Sequence, residues 1–445
     1  MKLRIDKNTK WDLLLLEVYI ALLHILYIHF FKDVFRLNYR GLLFVFDPNW
    51  NKYLVCLAET LVIFFFSAKK IRSESLAETA MLFLNLLYFL PGVVQQAVTN
   101  SEWKYMLFFF SFWVGMEFWL WVIRPRKGSF LGKFFRAENG YIYLLVLTAF
   151  AVVIAVFMDV YTGRYLTISN LVYTLNEIYE VRAAAKEQSI HWIIISFEYW
   201  AAYFCIIMIT YFLCRKDYVV SIILAITELA LFIVQGNRIF LFLLIAAILI
   251  GLLKVNNRRI VCAFVLLAFL MMLEIIITKS SETITDMFRR YSVVPNRLGD
   301  RYFDFFQTNE PDLLRSQYDR ITRLFGIRSP YSSPAIGLRI GRKYFLSEMN
   351  ANSGLAAGGV FSFCYAGPVV STLGYILSFR MFENVTYGMK NQKIVIVVAF
   401  VLASLAINMP EMLAAIFSPS YLLLLYLCMI PLSRASTGKA YGYRF

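Results

Sequence analysis

The sequence predicts an all-α, polytopic integral membrane protein of about twelve transmembrane helices with two sizeable outer segments. Three observations lead there. Of the 445 residues, 60% are hydrophobic and 16% charged. Mean hydropathy is +0.63. Apolar runs of roughly 18 residues or more, the length a bilayer requires, recur along most of the chain. Lipid offers no water to satisfy backbone N–H and C=O groups, so each run must close its own hydrogen bonds as a helix. The alternating pattern of barrel strands is absent.

Net charge is +15, which in a soluble chain would raise nucleic acid as a partner. Here the Lys and Arg sit in short clusters between apolar runs, as the positive-inside rule demands, and no nucleic-acid partner is called for. Cys56, Cys205, Cys214, Cys262, Cys364 and Cys428 lie in or beside apolar runs, suggesting neither disulfides nor a metal site. His24, His29 and His191 are too dispersed to make one. There is no nucleotide-binding glycine loop and no Ser-His-Asp set, so no cofactor is expected.

The elements follow in order. A basic leader (Lys2, Arg4, Lys7, Lys10) precedes the first span, 11–31, which lacks a small-residue cleavage site and is read as retained. Spans at 53–68, 76–98 and 105–123 follow, and the basic stretches "KKIR" and "RPRKGSFLGKFFR" after the second and fourth fall on the inner side. The fifth, 141–160, opens into an outer segment at 161–190, whose "LVYTLNEIYEVRAAAKE" reads as an amphipathic helix. Spans at 191–214, 218–234 and 239–253 come next, then 260–278. The largest hydrophilic stretch, 279–350, is the second outer segment. A tenth span starts near Gly354, and the last two meet at "NMPEM". The whole of 1–445 reads as one polytopic membrane domain with both termini cytoplasmic, because that register alone puts every short basic cluster on one side.

The stretch "FRRYSVVPNRLGDRYFDFFQ" inside 279–350 holds Arg289, Arg290, Arg297 and Arg301 among aromatics. A long outer segment permits such charges but does not explain them. Arginine offers a planar fork that grips phosphate oxygens and keeps its charge at physiological pH, so an anionic, phosphate-bearing ligand at the outer surface would use such a set. The competing reading pairs these arginines with Asp300, Asp304, Asp312 and Asp319 to fold the segment. Arg238, at the first turn of the eighth span, either snorkels or contacts phosphate or sugar. Arg182 has no carboxylate three or four residues away on its helix. Asn350 and Asn352, in "NANSG", are either helix caps or binders of sugar hydroxyls. Arg315 and Gly326 make one Arg-x10-Gly spacing.

A Gly-x-Arg heading an apolar span, the outer "RRYSVVPNRLGDRYFDFFQTNEP" and then "IGRKYFLSEMNANSGLAAGGVFSFCYAGPVV" together resemble bacterial oligosaccharide repeat-unit polymerases, the Wzy-type O-antigen polymerase group. The resemblance covers mainly 176–370. It departs at the other outer segment, where Arg182 meets Ile193, not a glycine, at the Arg-x10-Gly spacing. It implies a glycosyltransferase of the bacterial inner membrane that moves a glycan from undecaprenyl pyrophosphate to the next lipid-linked repeat unit, in lipopolysaccharide, capsule or exopolysaccharide synthesis. The partners it implies are the undecaprenyl-pyrophosphate-linked oligosaccharide, the bilayer and a chain-length regulator protein. Arg290, Arg297, Arg301 and Asp304 are then the expected catalytic residues, and Arg182, Arg238, Asn350 and Asn352 the expected substrate binders, with no metal. A flippase for the same lipid-linked oligosaccharide would instead place ionisable groups deep in several spans, for which Glu59, Glu117, Glu228 and Glu274 are available. An O-antigen ligase would share the outer site.

Overall fold

In the computed structural model, which describes residues 7–35, 44–125, 140–162, 192–235, 238–280, 284–316, 318, 326–331, 334–347, 351, 354–387, 389, 391–408 and 421–437, the apolar runs are helices. Eight are long and apolar enough to cross a membrane, and four shorter apolar helices, Tyr218–Val234, Ile239–Leu252, Gln392–Asn408 and Leu422–Ser433, stand where the remaining spans are expected. The chain is therefore an all-α, multi-pass membrane protein.

The helices are α1 (Lys7–Ile25, prolonged by a π-helical turn at Leu26–Phe30 and by Phe31–Val34), α2 (Trp50–Lys70), α3 (Leu76–Val98, with a π-helical turn at Asn85–Phe89) and α4 (Trp103–Val122). Then come α5 (Gly140–Thr162), α6 (Trp192–Arg215), α7 (Tyr218–Gln235), α8 (Arg238–Leu252) and α9 (Asn257–Thr278). The hydrophilic stretch adds α10 (Ile284–Tyr291), α11 (Val293–Phe306) and α12 (Ile336–Phe345), followed by α13 (Leu355–Phe363), α14 (Gly367–Thr386), α15 (Gln392–Asn408) and α16 (Tyr421–Thr437). Local chemistry sets the starts. Asn49 caps α2 by accepting from the N–H groups of Asn51 (3.0 Å) and Lys52 (3.2 Å). Ser75 caps α3 by accepting from Glu78 N–H at 3.3 Å, which satisfies an amide that no helical carbonyl can reach.

Contacts divide the chain into two compact units. The first comprises Met1–Arg124, Asn257–Arg380 and Leu402–Ala414, and the second Pro125–Asn256, Met381–Val401 and Ala415–Phe445. In the first unit α3 is buried along nearly its whole length, whereas α2 and α4 turn large apolar side chains such as Leu54, Phe65, Leu107 and Trp121 outward. Outward apolar faces suit lipid, not water. Several polar side chains inside this unit are partnered across helices: Trp113 donates to Asn85 Oδ1 (3.0 Å), Asn85 Nδ2 donates to Ser67 Oγ (2.8 Å), and Lys70 pairs with Glu117 at 2.7 Å.

The two ends of this unit sort as the charge pattern requires. At one end Asp12 meets Arg72 (3.3 Å) and Arg258 (3.2 Å), and Asn257 donates to the carbonyls of Lys70 (2.9 Å) and Ser73 (2.8 Å). At the other, Asp47 N–H donates to Val98 O (2.9 Å) and Gln307 Nε2 donates to Glu102 Oε2 (3.0 Å). Segments assigned to one side by charge thus meet one another. In the second unit α6 packs on α5, α7, α8 and α16, and α7 also contacts α5 and α8.

Candidate functional site

The arginine-rich stretch does not fold as a surface loop. It forms α10 and α11, joined at Ser292 and docked into the first unit against α3, α9 and α13. Its sequence suits this. Pro295 falls in the first turn of α11, where a missing N–H costs nothing, and aromatic residues fill the buried side: Tyr302, Phe303, Phe305 and Phe306 are all core residues. Polar bonds fix the docking. Gln95 Nε2 donates to Val293 O (3.1 Å), Tyr105 OH to Asn296 O (3.3 Å), Asn296 Nδ2 to Tyr88 O (3.3 Å), and Tyr302 OH to Ala351 O (2.8 Å). At the entry, Glu274 accepts from both the N–H and the hydroxyl of Thr285, each at 2.8 Å.

Arg297, Arg301 and Asp304 sit four and then three residues apart on α11, one face of a helix, but their surroundings differ. Arg297 is 2% exposed and donates to Asp300 Oδ2 at 2.8 Å. Burial pushes its guanidinium down to about 10 while Asp300 opposes, and it keeps its charge at neutral pH. The same burial pushes the Asp300 carboxyl up, with Arg297 and Arg301 opposing. This pair ties α11 together and turns no free fork toward a ligand. Arg290 shares Asp286 with Arg289, at 3.3 Å from Arg290 Nε. The pairing expected of loop carboxylates is thus present for Asp300, and Asp286 takes the same role on α10.

Arg301 and Asp304 are placed differently. Both are half-buried, at the end of α11 that packs on α12. Tyr344 OH donates to Asp304 Oδ2 at 2.7 Å. Burial and the neighbouring carboxylate push the Tyr344 phenol up, so it stays a donor and holds that oxygen. Two cations converge on the Tyr344 ring, Lys343 Nζ at 4.9 Å and Arg301 at 5.7 Å from its centroid, and Lys343 also lies 5.2 Å from the Phe305 ring, within cation–π range. The carboxylate nearest Arg301, Asp300 Oδ2, is 3.8 Å away and already engaged by Arg297. Two cations, Arg301 and the exposed Lys343, and one oriented carboxylate, Asp304, therefore share one corner of the first unit.

Sequence reasoning had Arg301 and Asp304 but missed Lys343 and Tyr344. Forty residues separate Tyr344 from Asp304, and no periodicity links them. Arg315 spends its donors on the carbonyls of Asp312 (2.7 Å) and Pro311 (2.8 Å). Of the other expected residues, Arg182, Asn350 and Asn352 lie outside the described residues, and so does the side chain of Arg238, whose backbone opens α8. Asp319 lies outside them too. Among the described residues no three His, Cys, Asp or Glu gather where they could hold a metal ion. No family model, curated protein or solved structure matches the chain.

Proposed function

We propose that the protein polymerises lipid-linked oligosaccharide repeat units, transferring the glycan from undecaprenyl pyrophosphate to the next unit at the outer face of the bacterial inner membrane. The observation that carries this reading is the Arg301, Lys343, Tyr344 and Asp304 corner: an exposed lysine and an arginine that only shares the Asp300 carboxylate, at 3.8 Å, beside a carboxylate oriented by a phenol. In the reaction the acceptor sugar hydroxyl bonds to the donor's anomeric carbon, the bond from that carbon to diphosphate oxygen breaks, and its electron pair leaves with undecaprenyl diphosphate. The leaving group is good, so the enzyme's work is to stabilise charge on the diphosphate and to orient the hydroxyl. Arg301 and Lys343 serve the first task. Asp304, held through one oxygen by Tyr344, takes the hydroxyl proton on the other. Arg290, which pairs with Asp286 on α10, is assigned to the reaction on the sequence alone, and the buried Arg297–Asp300 pair keeps α11 in register. Arg182, Arg238, Asn350 and Asn352 are assigned to substrate binding on the sequence alone.

Cells carrying Arg301→Ala, Lys343→Ala or Asp304→Asn should keep normal levels of the protein and accumulate single repeat units on the lipid, facing outward. Wild-type polymer from all three rejects the assignment.

One observation favours a second reading, a flippase. Glu228 in α7 is fully buried, and neither carboxylate oxygen has a hydrogen-bond partner, as expected of an ionisable group used inside the membrane.

A further inference from the structure

Glu228 lies on α7 ten residues after its first residue, Tyr218. At the helical rise of about 1.5 Å per residue that is about 15 Å along the axis, half the thickness of a bilayer's hydrocarbon core at about 30 Å. Its side chain has no exposed surface, and both of its oxygens lack a hydrogen-bond partner. Two other acidic groups in spans meet a cation or a donor: Glu117 has Lys70 at 2.7 Å, and Glu274 accepts from Thr285, whereas Glu59 on α2 is buried with Oε2 unpartnered.

Among the described side chains, those of the helices packed on α7 bring no cation to Glu228. Those helices are α5, α6 and α8. On α6 the titratable residues are Glu198, Tyr199, Tyr203, Cys205, Tyr211, Cys214 and Arg215; its one cation, Arg215, is its last residue and pairs with Asp217 at 3.4 Å. The titratable residues of α5 are Tyr141, Tyr143, Asp159 and Tyr161, at that helix's two ends. Between Ile239 and Leu252 α8 has none. On α7 itself the other titratable residue is Tyr218, at the first turn.

An ionised carboxylate at mid-depth, with neither cation nor donor, is the costliest state open to this side chain, and binding a proton removes the cost without moving an atom of the fold. We infer that Glu228 is a proton-binding site in the second unit, a carboxylic acid that holds its proton at neutral pH. The site is independent of the arginine and lysine corner in the first unit, so the polymerase reading can fail without it and it can fail without that reading.

Infrared difference spectroscopy on the purified full-length protein in lipid nanodiscs, wild type minus Glu228→Gln, reads the state directly. At neutral pH the difference should contain the C=O stretch of one protonated carboxyl group, moving to lower frequency in heavy water, and no carboxylate bands. A wild-type spectrum with one extra pair of carboxylate bands and no protonated C=O band overturns the inference. Glu228→Met, apolar and of similar length, serves in the same comparison if Glu228→Gln does not accumulate. Loss of both variants from the membrane also counts against it, because replacing a neutral, unpartnered acid by a neutral side chain breaks no bond.

Discussion

At the scale of single residues, burial separates arginines that fold the protein from arginines available to a ligand. Arg297 and Asp300 are both almost wholly enclosed, so removing one leaves the other charged and unpaired, at a cost of about 3–5 kcal/mol. Arg297→Met should therefore lower the amount of protein in the membrane, and Arg297→Met with Asp300→Leu should recover much of it, as an immunoblot of washed membranes would show. Arg301→Ala removes only the more distant partner of Asp300, at 3.8 Å, and leaves the Arg297–Asp300 pair intact. It should leave the level unchanged and slow polymerisation about a hundredfold or more, the usual loss when a group facing developing negative charge is removed, measured as repeat units joined per minute by purified protein. Tyr344→Phe should leave Asp304 untethered and give an intermediate defect at normal expression. The sequence singled out the arginine-rich stretch, because charge among aromatics is visible in one dimension. It could not rank Arg297 against Arg301, because four residues along one helix separate an enclosed position from a half-open one, and the neighbours that decide this come from α4 and α12.

At the scale of elements, α11 shows what a hydrophilic segment needs in order to dock into an apolar bundle. Buried polar groups favour a partner, and the carbonyl of Val293, the Nδ2 of Asn296 and the phenol of Tyr302 each have one. Close approach also needs room: a Cβ on Gly299 would run into the Tyr105 hydroxyl. Gly299→Ala should cost about 1–3 kcal/mol by overpacking, and Tyr105→Phe, which removes the atom in the way, should restore part of it in thermal unfolding of the detergent-solubilised protein. The apolar runs were legible as helices because hydrophobicity and length determine a span. That 284–306 would be two packed helices was not, since its composition is that of a solvated segment and only the amides, phenols and glycine facing it explain its burial.

At the scale of the whole molecule, the positive-inside pattern and the contacts within the first unit agree on which segments share a side. Asp12, Arg72 and Asn257 gather at one end, and Asp47, Glu102 and Gln307 at the other. Cysteines placed at the exposed Lys69 and Asn256 should accordingly be protected from a membrane-impermeant maleimide added to whole cells, and one at Asn309 should be labelled. Protection at Asn309 would put the Arg301 corner in the cytoplasm and remove the case for an outer diphosphate site. Which segments share an end was legible in the spacing of the basic clusters, whereas the division into two units was not, because the second unit draws on three separate stretches of chain.

Polymerase and flippase part on where the driving energy comes from, so one measurement separates them. Breaking a sugar–diphosphate bond drives elongation by itself, while moving a lipid-linked glycan needs two sealed compartments. Purified protein in detergent, given undecaprenyl-pyrophosphate-linked repeat units and neither nucleotide nor ion gradient, should release undecaprenyl diphosphate and build a ladder of longer glycans on the lipid, and the Arg301→Ala protein should not. A wild-type preparation that leaves single units unchanged in detergent, yet carries them across the membrane of sealed vesicles under a proton gradient, would contradict the account and establish the transporter in its place.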